Sequence, residues 1–173
     1  SDLLSFSRQG PPAREPIEQA VRAYLVQYHR KNGKPEELAS ALTSQAEIMF
    51  LRGDLDGAMK LHREVEKICR QLGDQDGLSV ALGNQALILN THGDLEGAMA
   101  LHKEEEQICR QLGDLKGLQA LLGNQAGILR KLGDLDAAMD LHKEGERICR
   151  QLGDLSNLGH QLGDQAAILR LRG

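Results

Sequence analysis

The chain repeats itself every 40 residues. Asp54–Gly73 reads DLDGAMKLHREVEKICRQLG, Asp94–Gly113 reads DLEGAMALHKEEEQICRQLG and Asp134–Gly153 reads DLDAAMDLHKEGERICRQLG, with Cys69, Cys109 and Cys149 spaced 40 apart. The intervening stretches repeat too, as ALGNQALILNTHG from Ala81, LLGNQAGILRKLG from Leu121 and QLGDQAAILRLRG from Gln161. Self-similarity at such a period marks a unit too small to bury its apolar face alone, so successive units must stack.

Each unit reads as two helices. In the second, Leu95, Ala98, Met99, His102, Glu105, Ile108 and Leu112 follow the i, i+3, i+4, i+7 spacing of one helical face. In the first, Leu78, Leu82, Gln85, Ala86 and Leu89 do the same. Gly93 and Gly113 suit the left-handed conformation that ends a helix, and Asp94 and Asp114 follow as N-caps. Turns this short make neighbouring helices antiparallel. The core these faces predict is Leu, Ala, Ile and Met; there is no Trp, and Tyr and Phe number two each.

The N-terminal part keeps the register, since Gly33 and Leu38 lie 40 residues before Gly73 and Leu78. Residues 16–31 then form the second helix of a degenerate repeat, with Ile17, Ala20, Val21, Tyr24, Leu25 and Tyr28 on its apolar face and Pro16 in its first turn. Residues 1–15, which include Gly10-Pro11-Pro12, read as a linker or extended arm. The array over 16–173 divides into repeats 35–73, 74–113 and 114–153 and an unpaired final helix at 154–173. The last stretch stops where another second helix is due, as in a piece cut from a longer array.

The stretch GNQALILNTHGDLEGAMALH resembles a tetratricopeptide repeat: a small residue in the first helix (Ala86), Gly93-Asp94 at the turn, then Leu95 and Ala98. The usual unit has 34 residues. The longer unit here is similar to those of Pins-type adaptors, kinesin light chains and bacterial NTPase-linked arrays. The resemblance implies an all-α fold, a right-handed α-solenoid of antiparallel helix pairs with about 3.5 to 4 repeats over residues 16–173. It also implies a concave groove lined by the first helices. The family's groove positions fall on Ser44, Glu47 and Phe50, on Asn84, Leu87 and Asn90, on Asn124, Arg130 and Lys131, and on Asp164 and Arg170.

Small residues at Gly83, Gly123, Gly127 and Ala167 leave room there for a polypeptide to lie close. Asn84 and Asn124 each offer a donor and an acceptor to a peptide backbone, and Arg130, Lys131 and Arg170 suit carboxylates. The implied function is a scaffold that binds an extended, acid-containing polypeptide segment, with a protein or peptide as partner and no catalytic residues. The alternative is a structural or regulatory arm, self-associating through its uncapped C-terminal helix or controlling an adjacent NTPase or enzyme domain. Four glutamines depart from the family pattern: Gln45, Gln85, Gln125 and Gln165 stand where Leu is usual. On a packed face they need hydrogen-bond partners, which predicts a ladder between helices.

Other chemistries fit poorly. His62, His102 and His142 each precede a Cys by seven residues, but two helical turns is about 10 Å, too far for one zinc ion that needs about four converging ligands. They read instead as packed residues, with no metal and no cofactor expected. Three evenly spaced thiols point to a reducing, cytoplasmic setting rather than disulfides. The glycines lack the GK[ST] of a phosphate loop, and Glu104, Glu105 and Glu106 read as a solvated helix surface. A net charge of −4 and first helices without base-stacking aromatics disfavour nucleic acid. No apolar run approaches the roughly 20 residues of a membrane span.

Overall fold

A computed structural model describes residues 14–172. The described chain is eight helices: α1 (Arg14–Asn32), α2 (Pro35–Leu51), α3 (Leu55–Leu72), α4 (Gln75–His92), α5 (Leu95–Leu112), α6 (Leu115–Leu132), α7 (Leu135–Leu152) and α8 (Leu155–Leu171). No strand occurs among the described residues. From Gly53 to Gly153 a glycine with positive φ, between 69° and 85°, ends a helix every 20 residues. The aspartate after each of these glycines caps the next helix, its Oδ1 accepting the N–H three residues on, as Asp94 does from Gly97 at 2.9 Å and Asp134 from Ala137 at 3.0 Å. One Gly-Asp pair thus stops one helix and starts the next.

The fold divides after Leu72 into two compact units. In the first, α2 packs on α1 and on α3. Its core holds Leu42, Ala46, Ala58, Met59 and Val65. An ion pair of 2.6 Å joins Arg30 of α1 to Glu64 of α3. The apolar face expected on α1 is not its packed face. Val21, Tyr24, Leu25 and Tyr28 are 40–66% exposed, and the buried residue is Val26. In register Val26 matches Glu106 and Glu146, which face the following first helix; α1 packs on α2 the same way, and this leaves its other side open. The arm expected at the N-terminus lies, over residues 1–13, outside the described residues.

In the second unit α4 pairs with α5, α6 with α7, and α8 packs on α7. Two apolar layers show the pattern. Ala86 and Ala98 meet Ile128, and 40 residues on Ala126 and Ala138 meet Ile168. Alanine at these crossings lets the helix axes approach, which the spacing of the repeat requires. Arg110 of α5 reaches Glu144 of α7 at 2.8 Å, the same 34-residue offset as Arg30 and Glu64. Helix α8 is ordered to Leu171, where Arg172 donates to the Leu135 carbonyl at 2.9 Å and pairs with Asp136. Of its side chains only Gln161 and Ile168 are buried. Neighbouring helices packed antiparallel in this way make a tetratricopeptide-like α-solenoid.

Candidate binding face on the first helices

Apolar spacing turns Ala81, Leu82, Ala86 and Ile88 of α4 into the core and leaves Leu87 and Thr91 exposed on the far side. Helix α6 repeats the arrangement, with Asn124, Arg130 and Lys131 exposed. A hydrogen bond and a longer ion pair show that these faces lie side by side. Lys131 Nζ donates to Asn90 Oδ1 at 2.7 Å, linking α6 to α4, and Arg130 lies 3.8 Å from Asp164 of α8. Four of the expected groove residues are therefore brought together in pairs. Asn84 and Asn124 have no hydrogen-bond partner among the described residues. Arg170 is exposed, its Nε donating to the Ala166 carbonyl at 3.4 Å. Ser44, Glu47 and Phe50 lie on α2 in the first unit, where Glu47 is exposed, Ser44 and Phe50 are half-buried, and the Ser44 carbonyl accepts from Arg22.

The mid-helix glycines of this face differ in cause. A Cβ on Gly83 would stand 2.7 Å from Glu105 Oε1, so this glycine makes room for a carboxylate. A Cβ on Gly127 or Gly163 would meet nothing within 4 Å, and one on Gly123 only the Gln161 amide nitrogen at 4.0 Å.

The acidic run of α5 is not the solvated surface its charge suggests. Glu105 is half-buried and bonds His102 Nδ1 at 2.8 Å. Glu106 accepts from Gln125 Nε2 and Arg110 Nε, each at 2.9 Å. Burial pushes the Glu106 pKa up, but the hydrogen bonds of Gln125 and Arg110, with the charges of Arg110 and Lys103, outweigh it and hold the carboxyl below its ordinary value. These carboxylates face a neighbouring helix because α5 is packed on both sides. Gln165 repeats the Gln125 bond on Glu146 at 2.9 Å, so two rungs of the expected glutamine ladder stand in the second unit. Gln45 in the first unit is half-buried, and the register position that holds Glu106 and Glu146 is Val26 there.

The three buried histidines share a register and differ in partner. His142 Nδ1 meets Gln161 Oε1 at 2.7 Å, whereas His62 Nδ1 is buried with none. Burial lowers the His62 pKa. All three cysteines are buried and form no disulfide; Cys109 Sγ lies 3.5 Å from Ser79 Oγ, and burial raises the pKa of Cys109 and of Cys149. Among the described residues no three His, Cys, Asp or Glu side chains converge as metal ligands do, and no helix is long and apolar enough to cross a membrane.

Solved structures of tetratricopeptide-like repeat proteins share this fold. BtubC from P. vanneervenii superposes with a TM-score of 0.79 at 17% identity, over 94% of this chain and 68% of that one. The kinesin light chain TPR-like repeats from Podosopora anserina superpose with a TM-score of 0.73 at 13% identity, over 92% and 79%. Aspartyl phosphate phosphatase F from Bacillus subtilis gives 0.73 at 17% identity; this chain covers 40% of its length, with 85% of its own residues matched. No family model matches the sequence, and no curated protein matches it.

Proposed function

We propose that the chain is a protein-interaction scaffold that holds an extended, acid-containing polypeptide across the first helices, and that it has no catalytic role. The observation that carries this reading is the pair Asn84 and Asn124, unpartnered at equivalent places on adjacent helices, with the cations Arg130, Lys131 and Arg170 exposed at the C-terminal ends of α6 and α8. Such amides suit a peptide backbone of any sequence, and the cations suit carboxylates. Asp164 already faces Arg130, so an acidic ligand displaces a weak exposed pair rather than meeting a bare charge. The three buried, unbridged thiols are in keeping with a reducing, cytoplasmic setting.

The test is selection of random 12-residue peptides on the immobilised chain, then affinity measurements on those enriched. The reading expects acidic peptides, and at least a ten-fold loss of affinity when Asn84 and Asn124 are both alanine, with the melting temperature nearly unchanged. Enrichment of neutral peptides that bind the double variant normally would overturn it.

A second reading rests on α8. Leu155, Leu162 and Leu169, spaced seven apart on one face, are 43–78% exposed, which favours self-association through this helix.

A further inference from the structure

Where α6 meets α8 the repeat breaks its own pattern. Position 161 is glutamine, where α6 has the buried Leu121 and α4 the buried Ala81. Gln161 is only 7% exposed. Its Oε1 bonds His142, and its amide nitrogen has no partner among the described residues. Gly145 of α7 makes room for it, since a Cβ there would stand 2.9 Å from that nitrogen. On the other side the nitrogen faces a cavity of about 450 Å³, lined by Lys116, Gln119 and Gly123 of α6 and by Asn157, His160 and Asp164 of α8, with Asp154 at its end.

The lining decides what fits. Asp154 is engaged as the α8 cap, accepting the N–H and the side-chain amide of Asn157 and a bond from Gln119, and Asp164, which lies 3.8 Å from Arg130, stands one turn beyond Gln161 on the same face. A carboxylate would accept from Gln161 and pair with Lys116, but it would stand against the two aspartates. A cation would suit the aspartates and press its own N–H groups on the free donor. An apolar group would leave that donor buried and unsatisfied, at a cost. A carboxamide has both an acceptor for Gln161 and donors for Asp164.

We infer that this cavity is a subsite for a carboxamide side chain, Gln or Asn, of the bound polypeptide. The inference rests on the scaffold reading above and adds to it. On this reading the groove has two chemistries: hydrogen bonding of a neutral side chain near the N-terminal ends of α6 and α8, and carboxylate binding near their C-terminal ends.

The probe is N-acetylglutamine amide, titrated into the ¹⁵N-labelled chain and followed by NMR, with N-acetylglutamate amide and N-acetylleucine amide as comparisons. The glutamine probe should shift the Gln161 side-chain amide and the Gly123 and Gly163 backbone signals saturably, binding at least ten-fold more tightly than either comparison. Gly123→Leu, which fills the cavity from an open wall, should abolish those shifts. Should that variant lose helicity, Gln161→Leu, which copies Leu121, reads the same loss. Absent shifts at Gln161, equal binding of the glutamate probe, or shifts that survive both variants would overturn the subsite. Affinity for acidic peptides at Arg130 and Arg170, measured on the same samples, reports separately on the scaffold reading.

Discussion

Gln125 donates to Glu106 at 2.9 Å, a polar bond between a first helix and the second helix before it at a place where tetratricopeptide repeats usually pack leucine. The same nitrogen lies 3.3 Å from the His102 carbonyl. Gln125→Leu should cost about 1–2 kcal/mol, because Glu106 keeps Arg110 while the lost bonds are to a charge and a buried carbonyl. Gln125→Glu should cost more at pH 7, since two carboxylates would then meet, and should recover toward the leucine variant in acid. Urea titrations at pH 7 and pH 4.5 check both; a leucine variant as stable as the parent would make the ladder energetically silent.

The carboxylates predict acid lability. Glu106, Glu146 and Asp154 all titrate below their ordinary values in the folded chain. For Glu106 burial opposes the shift and hydrogen bonds outweigh it; for Glu146 the Gln165 bond leads; for Asp154 the Asn157 N–H leads. A depressed carboxyl pKa gives stability that is present above the unfolded value and lost as pH falls through the folded one. The urea midpoint should therefore decline below about pH 4.5.

A shallower decline should begin earlier, from His62. Burial lowers its pKa, so the folded chain holds it neutral while the unfolded chain protonates below about pH 6.5. Its contribution is complete above that pH and falls as pH drops below it, by less than the ~1.4 kcal/mol per pH unit that one group can supply. His62→Leu should flatten the midpoint between pH 6.5 and pH 5.5; an unchanged slope there would assign the decline to other groups.

Two glycines of the second unit should respond oppositely to alanine. Gly127→Ala meets open space in a helix interior and should stabilise by roughly 0.5–1 kcal/mol. Gly145→Ala puts a methyl 2.9 Å from a buried amide held by His142, so overpacking of about 1–3 kcal/mol should outweigh that gain. Thermal melts of the two variants decide; two stabilised proteins would show that Gln161 yields freely.

If α8 mediates self-association, Leu162→Lys with Leu169→Lys should reduce a concentration-dependent mass to that of one chain without loss of helicity. Light scattering across a hundred-fold concentration range gives the answer, and a parent chain of constant monomer mass would remove the second reading.

The helices and turns could be read from spacing because each signal is local: a glycine that must take positive φ, an aspartate that must cap, an apolar residue each turn. Gly53 to Gly153 and the first-helix core around Leu82 and Ala86 follow from that alone. The face of α1 did not, because its helical pattern says which residues share a side but not whether a neighbour covers that side. Glu105 and Glu106 misled for a related reason: charge predicts solvent only on a helix packed on one side. The Gln161 cavity was missed: glutamine stands there in register with Leu121, but its free nitrogen depends on Gly145 and His142 of another helix. Groove residues such as Asn124 and Arg130 were placed by family resemblance, and their pairing with neighbours, Arg130 with Asp164 and Lys131 with Asn90, needed three-dimensional positions.

The central claim is that the first-helix cations select acidic polypeptides. Peptide selection run in parallel on the parent chain and on Arg130→Glu with Arg170→Glu tests it most directly. The account predicts acidic peptides on the parent, bound more weakly as salt rises, and their loss on the charge-reversed chain in favour of neutral or basic ones. The same acidic peptides enriched on both chains, with equal affinity and no dependence on salt, would contradict it.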